Sequence, residues 1–128
     1  MKYLKRLIDQ MIDERIAAFN AVNIVGPKGC GKTRTCKERC KTVIEFQDVK
    51  KRNGYLEIAK ADPTLFFDNS KPILFDEWQD APSVWGAIRK DCDDNPEDVG
   101  SYYLTGSSGK TVDTQHTGTG RISSMTMY

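Results

Sequence analysis

Eight consecutive residues, Gly26-Pro27-Lys28-Gly29-Cys30-Gly31-Lys32-Thr33, match the pattern G-x-x-x-x-G-K-[ST] at every required position. The chemistry open to such a stretch is polyphosphate binding. Gly26 and Gly31 let the backbone turn tightly and approach an anion, and Gly29 adds freedom between them, because none carries a Cβ. Successive main-chain N–H groups then face one concavity, and the helix that follows adds the positive end of its dipole. Gly26, Pro27, Lys28, Gly29, Cys30, Gly31, Lys32, Thr33 and Arg34 are therefore the expected phosphate cradle. Lys32 would reach the outer phosphates as a point charge, and the Thr33 hydroxyl would ligate the Mg²⁺ that neutralises them.

Residues 72–77, Pro-Ile-Leu-Phe-Asp-Glu, form the second chemical stretch. An apolar run ending in two acids is the pattern of a buried parallel strand whose carboxyl end opens on a ligand site. In a nucleotide setting Asp76 holds Mg²⁺ directly or through water, and Glu77 polarises the attacking water as a general base. Standing alone the pattern is weak. It gains force about forty residues beyond a full phosphate loop, because each site needs the other.

Residues 102–105 (YYLT) read as a further strand that runs into Gly106-Ser107-Ser108. A polar side chain there would lie beside the phosphate loop in a parallel sheet; Thr105 and Ser107 both qualify. Arg121 is open to three readings: a transition-state charge given to a neighbouring subunit, the same charge given within the chain, or an ion pair with an acid. Gly109-Lys110-Thr111 imitates a second phosphate loop, but Leu104 occupies the position that requires glycine.

The elements that must position these residues are legible from periodicity. Leu4, Leu7, Ile8, Met11, Ile12, Ile16 and Phe19 recur at three- and four-residue steps, as in an amphipathic helix packed on a core. The β-branched and apolar residues 21–25 predict a strand entering the loop, 32–41 a helix leaving it, and 42–46 a second strand. Residues 48–60 read as a helix with Asp48 as its cap. Turn signals follow at 62–63 and 68–71. A helix runs from Asp80 and Pro82 to about residue 93, with Trp85 as core, and 121–128 alternate as a fifth strand.

Composition narrows the partners. Nineteen Lys and Arg against eighteen Asp and Glu leave a net charge of +1, so no overall field draws nucleic acid or anionic lipid. Lys50-Lys51-Arg52 is a local basic run, best read as a solvated helix face. Charges interrupt the first twenty residues, which makes them neither signal peptide nor membrane span, and the expected location is cytoplasmic. The four cysteines show no C-x-x-C pairing, and Cys36 with Cys40 make half a zinc site at most.

With YLKRLIDQMIDERI, GPKGCGKT, LFDEWQ, YLTGSS and HTGTGRI in hand, in that order along nearly the whole chain, the sequence resembles an AAA-type ATPase core. It is similar in particular to prokaryotic ATP-binding proteins in which that core precedes a C-terminal domain of unknown function. The resemblance implies an α/β three-layer fold with a parallel five-stranded sheet in the order 5-1-4-3-2 and helices on both faces. It also implies ATP and Mg²⁺ as ligands, Glu77 as catalytic base, and Thr105 or Ser107 as the sensing polar residue. The family continues beyond the GRI strand, so residues 1–128 are expected to be a core lacking lid and C-terminal domain, with weak turnover. ATP and ADP are the expected partners, and a homo-oligomer fits an Arg121 that serves a neighbour. Two rival readings are a nucleotide-gated interaction module and a small nucleotide kinase, for which the sequence offers no lid arginines beyond Arg121. No N-K-x-D guanine signature occurs.

Overall fold

The computed structural model describes residues 2–27, 29–107 and 121–127, with side chains from Leu7 onward. Lys28 and the segment that holds Ser108, Gly109-Lys110-Thr111 and His116 lie outside the described residues.

Five strands form one sheet: β1 (Ala21–Gly26), β2 (Thr42–Glu45), β3 (Ile73–Asp76), β4 (Tyr102–Ser107) and β5 (Ile122–Thr126). Their order is β2-β3-β4-β1-β5 and every pairing is parallel, which is the expected 5-1-4-3-2 arrangement. Side chains alternate along each strand, so a run that is apolar throughout buries both faces. Ala21, Ile73, Phe75, Tyr102 and Leu104 pack on one face with α3 (Arg52–Ala61) and α4 (Ser83–Asp94). Val22, Ile24, Leu74, Tyr103 and Met125 pack on the other, where α1 (Lys2–Ala18) supplies Ile8, Met11, Ile12 and Ile16 and α2 (Lys32–Lys37) supplies Cys36. Leu7, counted by periodicity with the buried stripe of α1, is 46% exposed. No helix among the described residues is long and apolar enough to cross a membrane.

Several stretches differ from the sequence expectation, among them the start of the helix expected from Asp80 and Pro82, which begins at Ser83 with Asp80 in a separate 3₁₀ turn. Residues 48–51 turn before α3 begins: the Asp48 carboxylate accepts the Lys50 N–H at 3.0 Å, so it stabilises an Asx-type turn and does not cap the helix. After Lys37 the helix ends, and a tighter turn closes through the Arg39 N–H on the Cys36 carbonyl at 3.0 Å. Residues read as two separate breaks enclose a 3₁₀ helix, Pro63–Asp68, capped where Asp62 accepts the Thr64 N–H at 3.1 Å. This helix is held by Phe66, whose ring meets Phe75 of β3 edge-on at 5.7 Å. Turn residues at its two ends hide a helical turn anchored by two aromatics, since the Phe67 ring also lies 5.0 Å from that of Tyr102.

At the amino end of the sheet, the Asn20 side chain donates to the carbonyls of Asn95 and Asp98 at 3.1 and 3.0 Å. That ties the turn before β4 to the start of β1 and fixes which residues of β4 stand level with the loop.

Candidate functional site

Because the strands are parallel, all their carboxyl ends meet at one edge of the sheet. β1 delivers the glycine-rich loop there, β3 delivers Asp76 and Glu77, and β4 lies between them. The register sets Thr105 level with Ile24 on one side and with Asp76 on the other, and sets Ser107 level with Gly26.

The loop is shaped by its glycines. Gly29 and Gly31 have φ of 83° and 92°, in the left-handed region that side chains with a Cβ rarely occupy. Gly26 is required for a different reason: a Cβ there would lie 2.5 Å from the Met127 carbonyl oxygen. Met127 is held against the loop by its own N–H, which donates to the Val25 carbonyl at 2.7 Å. Helix α2 then opens with the Thr35 N–H on the Gly31 carbonyl. Cys30 is half-buried and Arg34 is exposed on the first turn of α2.

Lys32, Asp76 and Glu77 are buried at this edge, 3%, 7% and 5% exposed. Charges so placed interact more strongly than at a surface and need partners. The Thr33 hydroxyl donates to Asp76 Oδ1 at 2.6 Å. Thr105, wholly buried, donates to the same oxygen at 2.6 Å and accepts the Glu77 N–H at 3.1 Å. Ser107 donates to Glu77 Oε2 at 2.8 Å, and Lys32 Nζ stands 3.7 Å from that oxygen. Lys32 also donates to the Pro27 carbonyl at 3.4 Å.

Glu77 has φ 57° and ψ 54°, a left-handed conformation that costs a non-glycine residue on the order of 1 kcal/mol. The residues after it hold it there. Trp78 is buried with its ring 4.8 Å from that of Trp85, and Asp80 accepts from Arg52 and Gln47 at 3.3 and 3.1 Å.

A family model described as an AAA domain matches residues 18–128. The chain belongs to that family. No curated protein and no solved structure matches it. As an AAA domain it is an ATPase-type, nucleotide-binding P-loop fold.

The residues of this AAA domain fit a divalent cation on their donor chemistry. A threonine hydroxyl and a carboxylate 2.6 Å apart are hard oxygen donors of the kind Mg²⁺ prefers. Burial pushes Cys36, on the loop helix α2 itself, far above the ordinary thiol range, so it stays protonated and weakly nucleophilic. All four cysteines are free.

Among the described residues, Arg121 is the expected site residue that the fold does not bring to this edge. It stands at the amino end of β5, where its carbonyl accepts the N–H groups of Asn20 and Ala21, and its Nε is 3.8 Å from Asp93 Oδ1. A strand of five residues separates it from the loop edge, roughly 16 Å at the usual rise. Within one chain the ion-pair reading therefore replaces the catalytic one. Parallel topology carried that signal, since a residue preceding a strand lies at the end remote from the loop.

Sequence reasoning missed Gln79 and Met127. The Gln79 amide lies over Gly106, where a Cβ would strike it, and Met127 closes on Gly26. Only glycine at 106 hinted at such an approach.

Proposed function

We propose that this AAA domain binds ATP together with Mg²⁺ and hydrolyses it, and that turnover drives a conformational change in a longer protein. The observation that carries the reading is the 2.6 Å hydrogen bond between Thr33 and Asp76, two residues 43 apart in sequence. Two motifs that each have a bland explanation alone meet in one contact, which is the arrangement nucleotide chemistry needs.

The residue roles follow from position. The N–H groups of the loop and of the first turn of α2 cradle phosphates, and Lys32 offsets their charge. Thr33 and Asp76 would hold Mg²⁺, which when bound supplies charge neutralisation and orients the terminal phosphates. Glu77 orients and deprotonates the attacking water, and Ser107, level with Gly26, contacts the terminal phosphate or that water. Arg121 is available to a neighbouring subunit rather than to its own site, which makes a homo-oligomer the more active form. We assign the chain, by its GPKGCGKT, LFDEWQ, YLTGSS and GRI motifs, to the prokaryotic ATP-binding proteins that carry a C-terminal domain, and expect a cytoplasmic location.

Calorimetric titration with ATP, ADP and GTP, each with Mg²⁺ and with EDTA, tests the reading. Tight ATP binding that weakens in EDTA supports it. An affinity unchanged between parent and Lys32→Ala removes the phosphate-cradle assignment.

A further inference from the structure

Thr105 and Ser107 stand two residues apart on the same face of β4, yet their hydroxyls do different things. A hydroxyl has one O–H to donate, and Ser107 directs its own at the Glu77 side chain, Oε2 at 2.8 Å, whereas Thr105 engages both acids. Thr105 has one O–H, directed at Asp76 Oδ1 at 2.6 Å, and it is wholly buried between β1 and β3. Its oxygen accepts the Glu77 N–H at 3.1 Å. One hydroxyl therefore joins the carboxylate of the first acid to the backbone of the second. The second acid is the residue held in the left-handed conformation, at φ 57°.

We propose that Thr105 is a positioning residue: its hydroxyl sets the angle between the Asp76 carboxylate and the Glu77 backbone, and it does not contact phosphate. The proposal deepens the functional reading above and rests on it for the Mg²⁺ consequence. With Thr33 it brackets Asp76 Oδ1 from two sides, since both hydroxyls donate to that one oxygen at 2.6 Å. The carboxylate cannot rotate without breaking one of the two bonds. Glu77 follows one residue later, so a shift of its amide swings its side chain relative to Lys32 and Ser107.

The decisive comparison is Thr105→Val, which keeps the branched shape and removes the hydroxyl, against Thr105→Ser, which keeps the hydroxyl. In nucleotide-free protein, NMR amide exchange at Glu77 is expected to accelerate at least about tenfold in Thr105→Val and to stay slow in Thr105→Ser. Amides of β3 keep their protection in both. An equally slow Glu77 amide in Thr105→Val overturns the proposal, whatever the nucleotide does. In the second arm, the ratio of ATP affinity with Mg²⁺ to that in EDTA is expected to fall about tenfold in Thr105→Val, with the EDTA affinity unchanged and Thr105→Ser restoring the ratio. A ratio untouched by Thr105→Val overturns the link to the cation. A parent that binds no ATP at all defeats the functional reading instead, and the amide arm still decides what Thr105 does. Should Thr105→Val fail to fold, Thr105→Ala, which places no methyl against the acid, carries the same expectations.

Discussion

Lys32 Nζ lies 3.7 Å from Glu77 Oε2, and both side chains are nearly wholly buried, 4% and 6% exposed. The lysine proposed to meet phosphate is thus the neighbour of the acid proposed to activate water. In a water-poor setting the two charges support each other, because a lone buried ion is far more costly than a paired one. An anion arriving at the loop would meet a lysine already shared with a carboxylate.

Removing the cation alone should therefore hurt the fold as well as the binding. Lys32→Ala removes the ammonium 3.7 Å from the buried Glu77 carboxylate, and breaking a buried pair in this way costs about 3 kcal/mol or more. The denaturant midpoint should drop accordingly, alongside lost ATP affinity. Adding Glu77→Gln to Lys32→Ala should recover most of the stability and none of the affinity. Recovery of neither would mean that the pair contributes little.

Removing the acid alone should act in the opposite sense on binding. Glu77→Gln keeps the shape, deletes the charge that competes for Lys32, and deletes the proposed base. ATP affinity by calorimetry should equal or exceed the parent's, while phosphate release falls by about 10² or more. Unchanged turnover would exclude Glu77 from the chemistry.

Glycines 26 and 106 both face a close neighbour, but they differ in what can yield. A Cβ on Gly26 meets the main-chain oxygen of Met127, whose N–H is bonded to Val25, so backbone must move. A Cβ on Gly106 meets the far end of the half-buried Gln79 side chain, which can rotate away. Gly26→Ala is therefore expected to lower stability by about 2 kcal/mol, and Gly106→Ala by less than half as much. Equal melting shifts for the two would contradict the difference in neighbours.

Much of this arrangement was legible in the residues, and the limits have physical causes. Apolar runs at 21–25, 72–75 and 102–105 with the loop between them marked strands buried on both faces, and the meeting of Thr33 with Asp76 followed from parallel order. What periodicity does not carry is local backbone conformation. Glutamate has no propensity for a positive φ, so the turn at Glu77 arises from tertiary contacts around Trp78, Asp80 and Thr105. Strand length was likewise not carried by periodicity: β4 extends through Ser107, two residues past the predicted strand end, which leaves Thr105 enclosed and brings Ser107 level with Gly26. Asp48 was a capping residue by type, but its side chain found a nearer amide at Lys50.

Buried thiols make the fold sensitive to alkali. Burial, aided by Asp91 and Asp93, pushes the Cys92 thiol up to about 12, and burial pushes Cys40 up to about 12 as well, from an ordinary value of 9.0. The unfolded chain releases these protons near pH 9, whereas the folded chain keeps them until about pH 12. Between those limits the unfolded state binds fewer protons, so stability declines as pH rises; below pH 9 this contribution is fully present and flat. Melting temperatures are expected to hold steady from neutral pH to about 8.5 and then fall. Cys92→Ala removes one of the titrating groups and should make the fall shallower at a slightly lower starting stability. A slope identical to the parent's across that range would show that the Cys92 thiol titrates alike in both states.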